Sequence, residues 1–232
     1  MPGPYFEFVT FRLQLGAQVK NLLGWIENRA LPMFQKHSFG PMGFFTVEIG
    51  PAFPALLAIR TSPSLAEWEA TRSKLEADPE WAAALEDLEA ADPAYYRLDN
   101  ELFLATPFSP PLEAGRPGDR AHKVLELRIY ETPTRKQLGY LHDRFVGGEI
   151  ELFHRAGIHP VFYADSVVGP NRPKMAYLIP YESEAHREEA VAAFRTNPEW
   201  QRLRAESIRR GGEIVRTITN LLIVPTSFSG IR

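Results

Sequence analysis

Three polar side chains that could form a ligand site alternate along one short segment, VLELRIYET (Val124–Thr132). Glu126, Arg128 and Tyr130 fall at every second residue, so they share one face of a strand, and apolar residues share the other. The apolar face suits packing against helices, which predicts that the polar trio points into a barrel interior. There a carboxylate, a guanidinium and a phenol must be paired with one another or with a ligand.

Two interpretations of this trio stay open. In the first it is a ligand site, where Arg128 anchors a carboxylate or enolate, Glu126 orients it and Tyr130 donates a hydrogen bond. In the second it is a cross-strand ion pair that only fills the interior.

On the next strand of the second repeat, HPVFYADSV, Tyr163 and Asp165 share a face with Val161. If that face also points inward, Tyr163 and Asp165 can face Arg128, and Asp165 is a candidate general base or a neutralising partner. The predicted ligand-binding residues are therefore Glu126, Arg128, Tyr130, Tyr163 and Asp165. No catalytic residue is assigned.

Other kinds of site find little support in the residues. The chain has no cysteine, no HExxH pair, no glycine-rich phosphate loop and no GxSxG motif. We therefore expect no metal and no cofactor, although a haem with one axial histidine stays open. A net charge of −3 argues against a nucleic-acid or membrane partner. No run of about 18 apolar residues and no secretory leader occurs, so we expect a cytoplasmic protein.

The elements that position these residues occur twice. The words DPEW (from Asp78) and NPEW (from Asn197) are 119 residues apart, and the same offset aligns Glu7 with Glu126 and Gly50-Pro51 with Gly169-Pro170. A constant offset over most of the chain indicates a tandem duplication. The predicted organisation is a first repeat over 1–110, a linker over 111–123 rich in proline, glycine and charge, and a second repeat over 124–232.

Each repeat reads as strand, helix, strand, strand, helix, strand. The first helix is expected over 17–36 and 135–155, with Gly147-Gly148 interrupting the second. In the DPEW and NPEW words, Asp78 or Asn197 suits a helix N-cap and the following proline suits the first helical position. The predicted fold class is α+β: two ferredoxin-like β-α-β-β-α-β repeats packing sheet to sheet as a single-chain barrel with helices outside.

The order and spacing of these stretches resemble the NIPSNAP family of the dimeric α+β barrel superfamily. The resemblance rests on LELRIYE, LFHRAGIHPV, NPEW and LLIVPTSFS in the second repeat, and on LPMFQKHSFGPMGFF, DPEW and LFLATPFSP in the first. It implies a barrel that single-copy members build by dimerisation. The Arg-x-Tyr of the family's first strand is present as Arg128 and Tyr130 but replaced by Val9 and Phe11, which predicts an asymmetric site centred on the second repeat.

The expected function is small-molecule binding or cofactor-free catalysis inside the barrel, by proton transfer, isomerisation or oxygenation. The alternative is a non-enzymatic interaction or scaffold protein whose barrel is filled by side chains. A cavity lined by Arg128 favours the first, and a packed interior favours the second. Whether the protein is an enzyme, and whether it forms homo-oligomers, stays open.

Overall fold

The protein is represented by a computed structural model that describes residues 3–51, 53–89, 94–112 and 124–231. Most of the predicted linker, 113–123, lies outside the described residues. The described elements of the first repeat are β1 (Tyr5–Arg12), α1 (Ala17–Trp25), α2 (Leu31–Lys36), β2 (Met42–Ile49), β3 (Ala55–Ser62), α3 (Leu65–Glu76), α4 (Pro79–Leu88) and β4 (Arg97–Ala105). Those of the second are β5 (Val124–Glu131), α5 (Arg135–Arg144), α6 (Ile150–Arg155), β6 (Phe162–Val168), β7 (Lys174–Tyr181), α7 (Glu184–Thr196), α8 (Pro198–Gly211) and β8 (Thr217–Pro225).

The eight strands close into one antiparallel barrel in the order β1-β3-β2-β8-β5-β7-β6-β4. Each repeat contributes a four-stranded sheet of ferredoxin-like order, and the two sheets join where β2 pairs with β8 and β4 pairs with β6. Closure leaves neither sheet with an unpaired edge. The predicted fold, two tandem repeats forming a single-chain α+β barrel, is confirmed.

The barrel interior is filled by apolar side chains from all eight strands. Phe6 stacks on Phe162 with ring centroids 4.5 Å apart, and Phe8 meets the same Phe162 ring edge-on at 6.0 Å, so aromatic rings from both repeats meet in the interior. The strand residues of this interior cluster are Phe6, Phe8, Phe45, Val47, Ala55, Leu57, Ile59, Phe103, Ala105, Leu125, Leu127, Phe162, Ala164, Ala176, Leu178, Leu221 and Ile223. This packed core, rather than a binding chamber, holds the two repeats together.

Both long helical segments follow the sequence expectation. A π-helical turn, Ile26–Ala30, joins α1 to α2, and a second, Phe145–Glu149, joins α5 to α6. Gly148 adopts φ +142° inside the second turn, a conformation open to glycine and costly for other residues. The predicted interruption at the paired glycines is therefore a π-helical kink, and the helix continues beyond it.

The two Pro-Glu-Trp words begin helices, as predicted. The Asp78 carboxylate accepts a hydrogen bond from the Glu80 amide, and the Asn197 side chain accepts from the amides of Glu199 and Trp200. Among the described helices, none combines the length and the apolar character that crossing a membrane requires.

Candidate functional site

The polar trio of β5 faces the helices of the second repeat, so the predicted orientation into the barrel is wrong. Leu125 and Leu127 belong to the barrel interior, whereas Tyr130 packs in the layer between the second sheet and its helices. Both faces of β5 are buried, so alternation alone does not reveal which face meets which layer. The helix layer supplies Glu126 with a charged partner, Arg187 on α7, whereas the barrel-interior cluster on the other face of β5 is apolar.

Glu126 sits at the centre of a buried charge network. It is fully buried and accepts 2.9 Å from Nε of Arg128 and 2.7 Å from Nε of Arg187 on α7. Burial alone would raise the pKa of Glu126, but hydrogen bonds and charge from Arg187 and Arg128 outweigh it and hold the pKa below its usual value. One carboxylate therefore serves two guanidinium groups, which leaves this network with a net positive charge.

A tyrosine pair lies beside the guanidinium of Arg128. The Tyr177 hydroxyl on β7 donates 2.9 Å to the Tyr130 hydroxyl, and Nη1 of Arg128 lies 3.5 Å from both oxygens. Burial raises the pKa of both tyrosines, so they are neutral near pH 7. Because Tyr130 accepts from Tyr177, its own hydroxyl hydrogen has no acceptor among the described side chains. It is therefore available to a ligand.

Arg128 and Tyr130 form the floor of a cleft of about 840 Å³ between the sheet and helices α7 and α8. Its apolar wall includes Ile158, Phe194 and Trp200, and its size is that of a small-molecule site. The other lining residues are Val191, Arg195, Gln201, Arg204, Ala205, Ile208, Ile218 and Asn220. A smaller cavity of about 360 Å³ adjoins it, with Tyr130, Trp200 and Arg204 among the residues that line both.

The cleft carries an excess of positive charge. Arg128, Arg195 and Arg204 line it, whereas no aspartate, glutamate or histidine is among its described lining residues. Arg195 and Arg204 are exposed, and neither has an ion-pair partner within the described part of the chain. Guanidinium groups bind carboxylates and phosphates through paired N–H groups, so the cleft suits an anion with an apolar body.

A second buried ion pair supports the helix side of the cleft. Arg144 on α5 donates 2.8 Å from Nε to Glu149 in the π-helical turn, and both side chains are almost fully buried. Burial raises the pKa of Glu149 despite the opposing charge of Arg144. The guanidinium of Arg144 also lies 5.1 Å from the Trp200 ring centroid, so the pair positions a wall residue of the cleft.

Tyr163 and Asp165 share the helix-facing side of the second sheet with Arg128, yet neither is among the residues that line the cleft. The Tyr163 ring packs 5.6 Å from Tyr177, and its buried hydroxyl has no hydrogen-bond partner among the described residues. Asp165 instead pairs with His142 on α5 at 2.9 Å. The structure thus brings Glu126, Arg128 and Tyr130 together, places Tyr163 behind them and separates Asp165 from the group.

Four residues of the site escape the sequence interpretation: Tyr177, Arg187, Trp200 and Arg204. The 119-residue offset could have indicated three of them, because Tyr177, Arg187 and Arg204 stand where the first repeat has side chains of different chemistry. Trp200 is a tryptophan in both repeats, so the comparison of repeats does not single it out. The counterparts of the four are Ala58, Trp68, Trp81 and Leu85. Across the described residues, no group of three side chains is arranged to hold a metal ion.

Comparison with known proteins agrees with the duplication. The NIPSNAP family model matches twice, over residues 6–110 and 125–230. No curated protein gives a significant match to the sequence. A NIPSNAP family protein of unknown function from Agrobacterium tumefaciens is 28% identical over 47% of this chain and 93% of its own, with a TM-score of 0.41.

Two solved structures are similar over nearly the whole chain. A proposed monooxygenase from Lactobacillus acidophilus is 10% identical, covers 96% of this chain and 94% of its own, and gives a TM-score of 0.59. A proposed monooxygenase from Fusobacterium nucleatum is 5% identical, covers 97% and 93%, and gives 0.61. At these identities the likeness concerns the fold alone.

Proposed function

The chain belongs to the NIPSNAP family of α+β barrel proteins, and we propose that it binds a small organic anion in the cleft of its second repeat. The ligand's carboxylate or enolate oxygen meets Arg128 and the Tyr130 hydroxyl, and its apolar body lies against Phe194 and Trp200. The observation that carries this proposal is the cleft of about 840 Å³ with three lining arginines and no lining carboxylate among the described residues.

The charges favour an anion over a neutral ligand. Glu126 is already shared by Arg128 and Arg187, so it cannot neutralise both. Nη2 of Arg128 has no acceptor among the described residues, and the Tyr130 hydroxyl hydrogen has none either. Two donors at the floor of a half-enclosed cleft define where an anionic oxygen binds.

The same geometry favours binding over general-base catalysis. Abstraction of a proton near pH 7 needs a carboxylate or imidazole within reach of the ligand, and the described lining residues include neither. Tyr130 does not fill this role because burial raises its pKa. Stabilisation of an enolate that forms on the ligand itself remains within the chemistry of Arg128 and Tyr130.

The alternative function is that of an interaction or scaffold protein, and it is supported by a barrel interior that apolar side chains fill. That packing does not oppose a ligand site, because the cleft lies outside the barrel, between the second sheet and its helices. The alternative predicts that the cleft arginines are dispensable for small-molecule binding.

The proposal is tested with 1-naphthoate, which joins an aromatic body to a carboxylate, by isothermal titration calorimetry. Arg128→Leu is expected to weaken binding roughly tenfold to hundredfold, the equivalent of about 1.5–3 kcal/mol for hydrogen bonds to a charged group. Arg204→Leu is expected to weaken it about threefold to tenfold through loss of a less buried charge.

Arg209→Leu is the matched control for Arg204→Leu, because Arg209 also lies on α8, is exposed and pairs with Glu206 outside the cleft. It is expected to bind 1-naphthoate as the unaltered protein does. Urea unfolding of each variant shows whether the fold persists; Arg187 still pairs with Glu126 in Arg128→Leu. Equal affinity of the folded Arg128 and Arg209 variants would refute the proposal and favour the interaction-protein alternative.

A further inference from the structure

The first repeat has a cavity at the place where the second repeat has its cleft. It measures about 230 Å³ and lies between the first sheet and helices α1 to α4. By the 119-residue offset, Val9, Phe11 and Leu85 of its lining correspond to Arg128, Tyr130 and Arg204 of the cleft. Trp81 lines it as Trp200 lines the cleft. The duplication therefore produced two equivalent cavities, and the polar groups of one are apolar in the other.

The wall of this first-repeat cavity is aromatic and aliphatic. Phe11, Trp25, Phe34, Phe44 and Trp81 contribute rings from five elements. The remaining apolar lining residues are Val9, Ile26, Ala30, Phe39, Met42, Ala58, Leu75, Leu85, Leu88, Tyr95 and Leu98. Leu98 is nearly half exposed, so the cavity reaches the surface beside an apolar side chain. An engineered cavity of about 150 Å³ with a similar wall stays dry and takes up benzene.

The charged groups at its edge are already neutralised by protein partners. Arg60 contacts Glu7 at 3.5 Å, donates 3.0 Å to the Trp68 carbonyl and has its face covered by the Phe39 ring at 4.0 Å. Arg72 pairs with Glu76 at 3.0 Å. Each charged side chain among the described lining residues thus has a protein partner, whereas Arg195 and Arg204 of the cleft have no ion-pair partner in the described part of the chain.

We propose that the first-repeat cavity is a separate binding site for a small, neutral, apolar molecule, of the size of one or two fused aromatic rings or a short branched chain. Its volume, its aromatic wall and its balanced charges carry the proposal. The site is independent of the anion site of the second repeat, and either proposal can fail while the other stands.

The test uses 1-naphthylamine, which is uncharged at neutral pH and becomes brighter and blue-shifted in apolar surroundings. The full chain is expected to bind it saturably. Ala58→Leu, which places methyl groups in the cavity, is expected to weaken binding about tenfold or more by displacing the ring. Ala82→Leu is the matched control, because Ala82 is exposed on α4 outside the lining. It is expected to bind unchanged.

Arg128→Leu separates the two sites: it is expected to leave 1-naphthylamine binding unchanged while weakening 1-naphthoate. Three results would each overturn the proposal. They are no saturable binding to the unaltered chain, unchanged binding to folded Ala58→Leu, and loss of 1-naphthylamine binding in Arg128→Leu. Should Ala58→Leu fail to unfold cooperatively in urea, Leu85→Trp fills the same cavity from α4 and decides the matter by the same criteria.

Discussion

Replacing Glu126 by glutamine removes the charge that holds two arginines of the second repeat. The substitution keeps the shape of the side chain but leaves one acceptor oxygen in place of a carboxylate. Arg128, whose side chain is 10% exposed, would then lie buried beside two neutral tyrosines. Arg187 is 24% exposed and can turn toward water. The loss of stability therefore comes mainly from one buried guanidinium, that of Arg128, which no longer has a carboxylate partner.

We expect Glu126→Gln to lower the free energy of unfolding by about 3 kcal/mol at pH 7. Removing one partner of a buried ion pair costs about 3–5 kcal/mol, and the partial exposure of Arg187 places this case at the low end. The equivalent change in the first repeat, Glu7→Gln, is expected to cost less, about 1–2 kcal/mol, because Arg60 keeps its hydrogen bond to the Trp68 carbonyl and its contact with the Phe39 ring. Glu7 is held by neutral donors from Trp68 and Asn100 and by a long 3.5 Å contact with Arg60.

The pH dependence of the stability difference between the unaltered protein and Glu126→Gln shows whether the charge of Glu126 causes it. The pKa of Glu126 is lower in the folded protein than its ordinary value of 4.5. A carboxyl of this kind contributes stability that is fully present above its unfolded pKa and is lost as the pH falls through the folded pKa. The stability gap between the unaltered protein and Glu126→Gln should therefore narrow below about pH 4.5.

Urea unfolding followed by far-ultraviolet circular dichroism at pH 7 and at several values down to pH 3 measures both effects. Titration with 1-naphthoate adds an independent readout, because Glu126→Gln raises the positive charge of the cleft and should tighten anion binding a few-fold. The reasoning fails if Glu126→Gln costs no more than Glu7→Gln, or if the gap stays constant across this pH range.

Three further predictions concern the helices and the charge of the cleft. Gly148→Ala should lower the free energy of unfolding by about 1–3 kcal/mol because its φ is +142°, whereas Gly147→Ala, with open space around it, should be neutral or stabilising in the same urea assay. Equal effects of the two would refute the strain argument. Asn197→Ala should cost about 1 kcal/mol through loss of the cap of α8, and an unchanged urea midpoint would contradict this. Affinity for 1-naphthoate should fall as sodium chloride rises from 50 to 500 mM, while 1-naphthylamine affinity should not; parallel changes would argue against a cationic cleft.

Much of the fold follows from the sequence because its signals are local. The predicted order of strands and helices in each repeat is the observed one, and the capped Pro-Glu-Trp words begin α4 and α8. The repeat offset then requires two similar sheets, and each sheet has an apolar face that needs a cover. The barrel is the consequence of these local facts and the duplication.

The facing of β5 could not be obtained in the same way. Alternation separates Leu125 and Leu127 from Glu126 and Arg128, but it does not state which layer each face meets. The decision depends on partners distant in sequence: Arg187 on α7 supplies a second donor to Glu126, and Tyr177 on β7 supplies a hydroxyl. A polar face takes the side where such partners exist and where a cleft reaches solvent, because burial without them is costly.

The two repeats differ most in where the charge that balances a shared glutamate is placed. In the first, Arg60 on β3 compensates Glu7, and its N–H groups and aromatic cover leave little for a ligand. In the second, Ile179 occupies the position equivalent to Arg60, and Arg128 takes over from the position equivalent to Val9.

Placing the arginine on the first strand of the repeat instead of the third makes the cavity cationic instead of apolar, and the strand pairing is the same in both repeats. Val9 pairs with Ala58, and Arg128 pairs with Tyr177 at the corresponding place on β7. The same fold can therefore form one apolar and one cationic cavity. The buried glutamate of each repeat requires a nearby arginine, and the strand that carries this arginine decides whether a ligand can reach it.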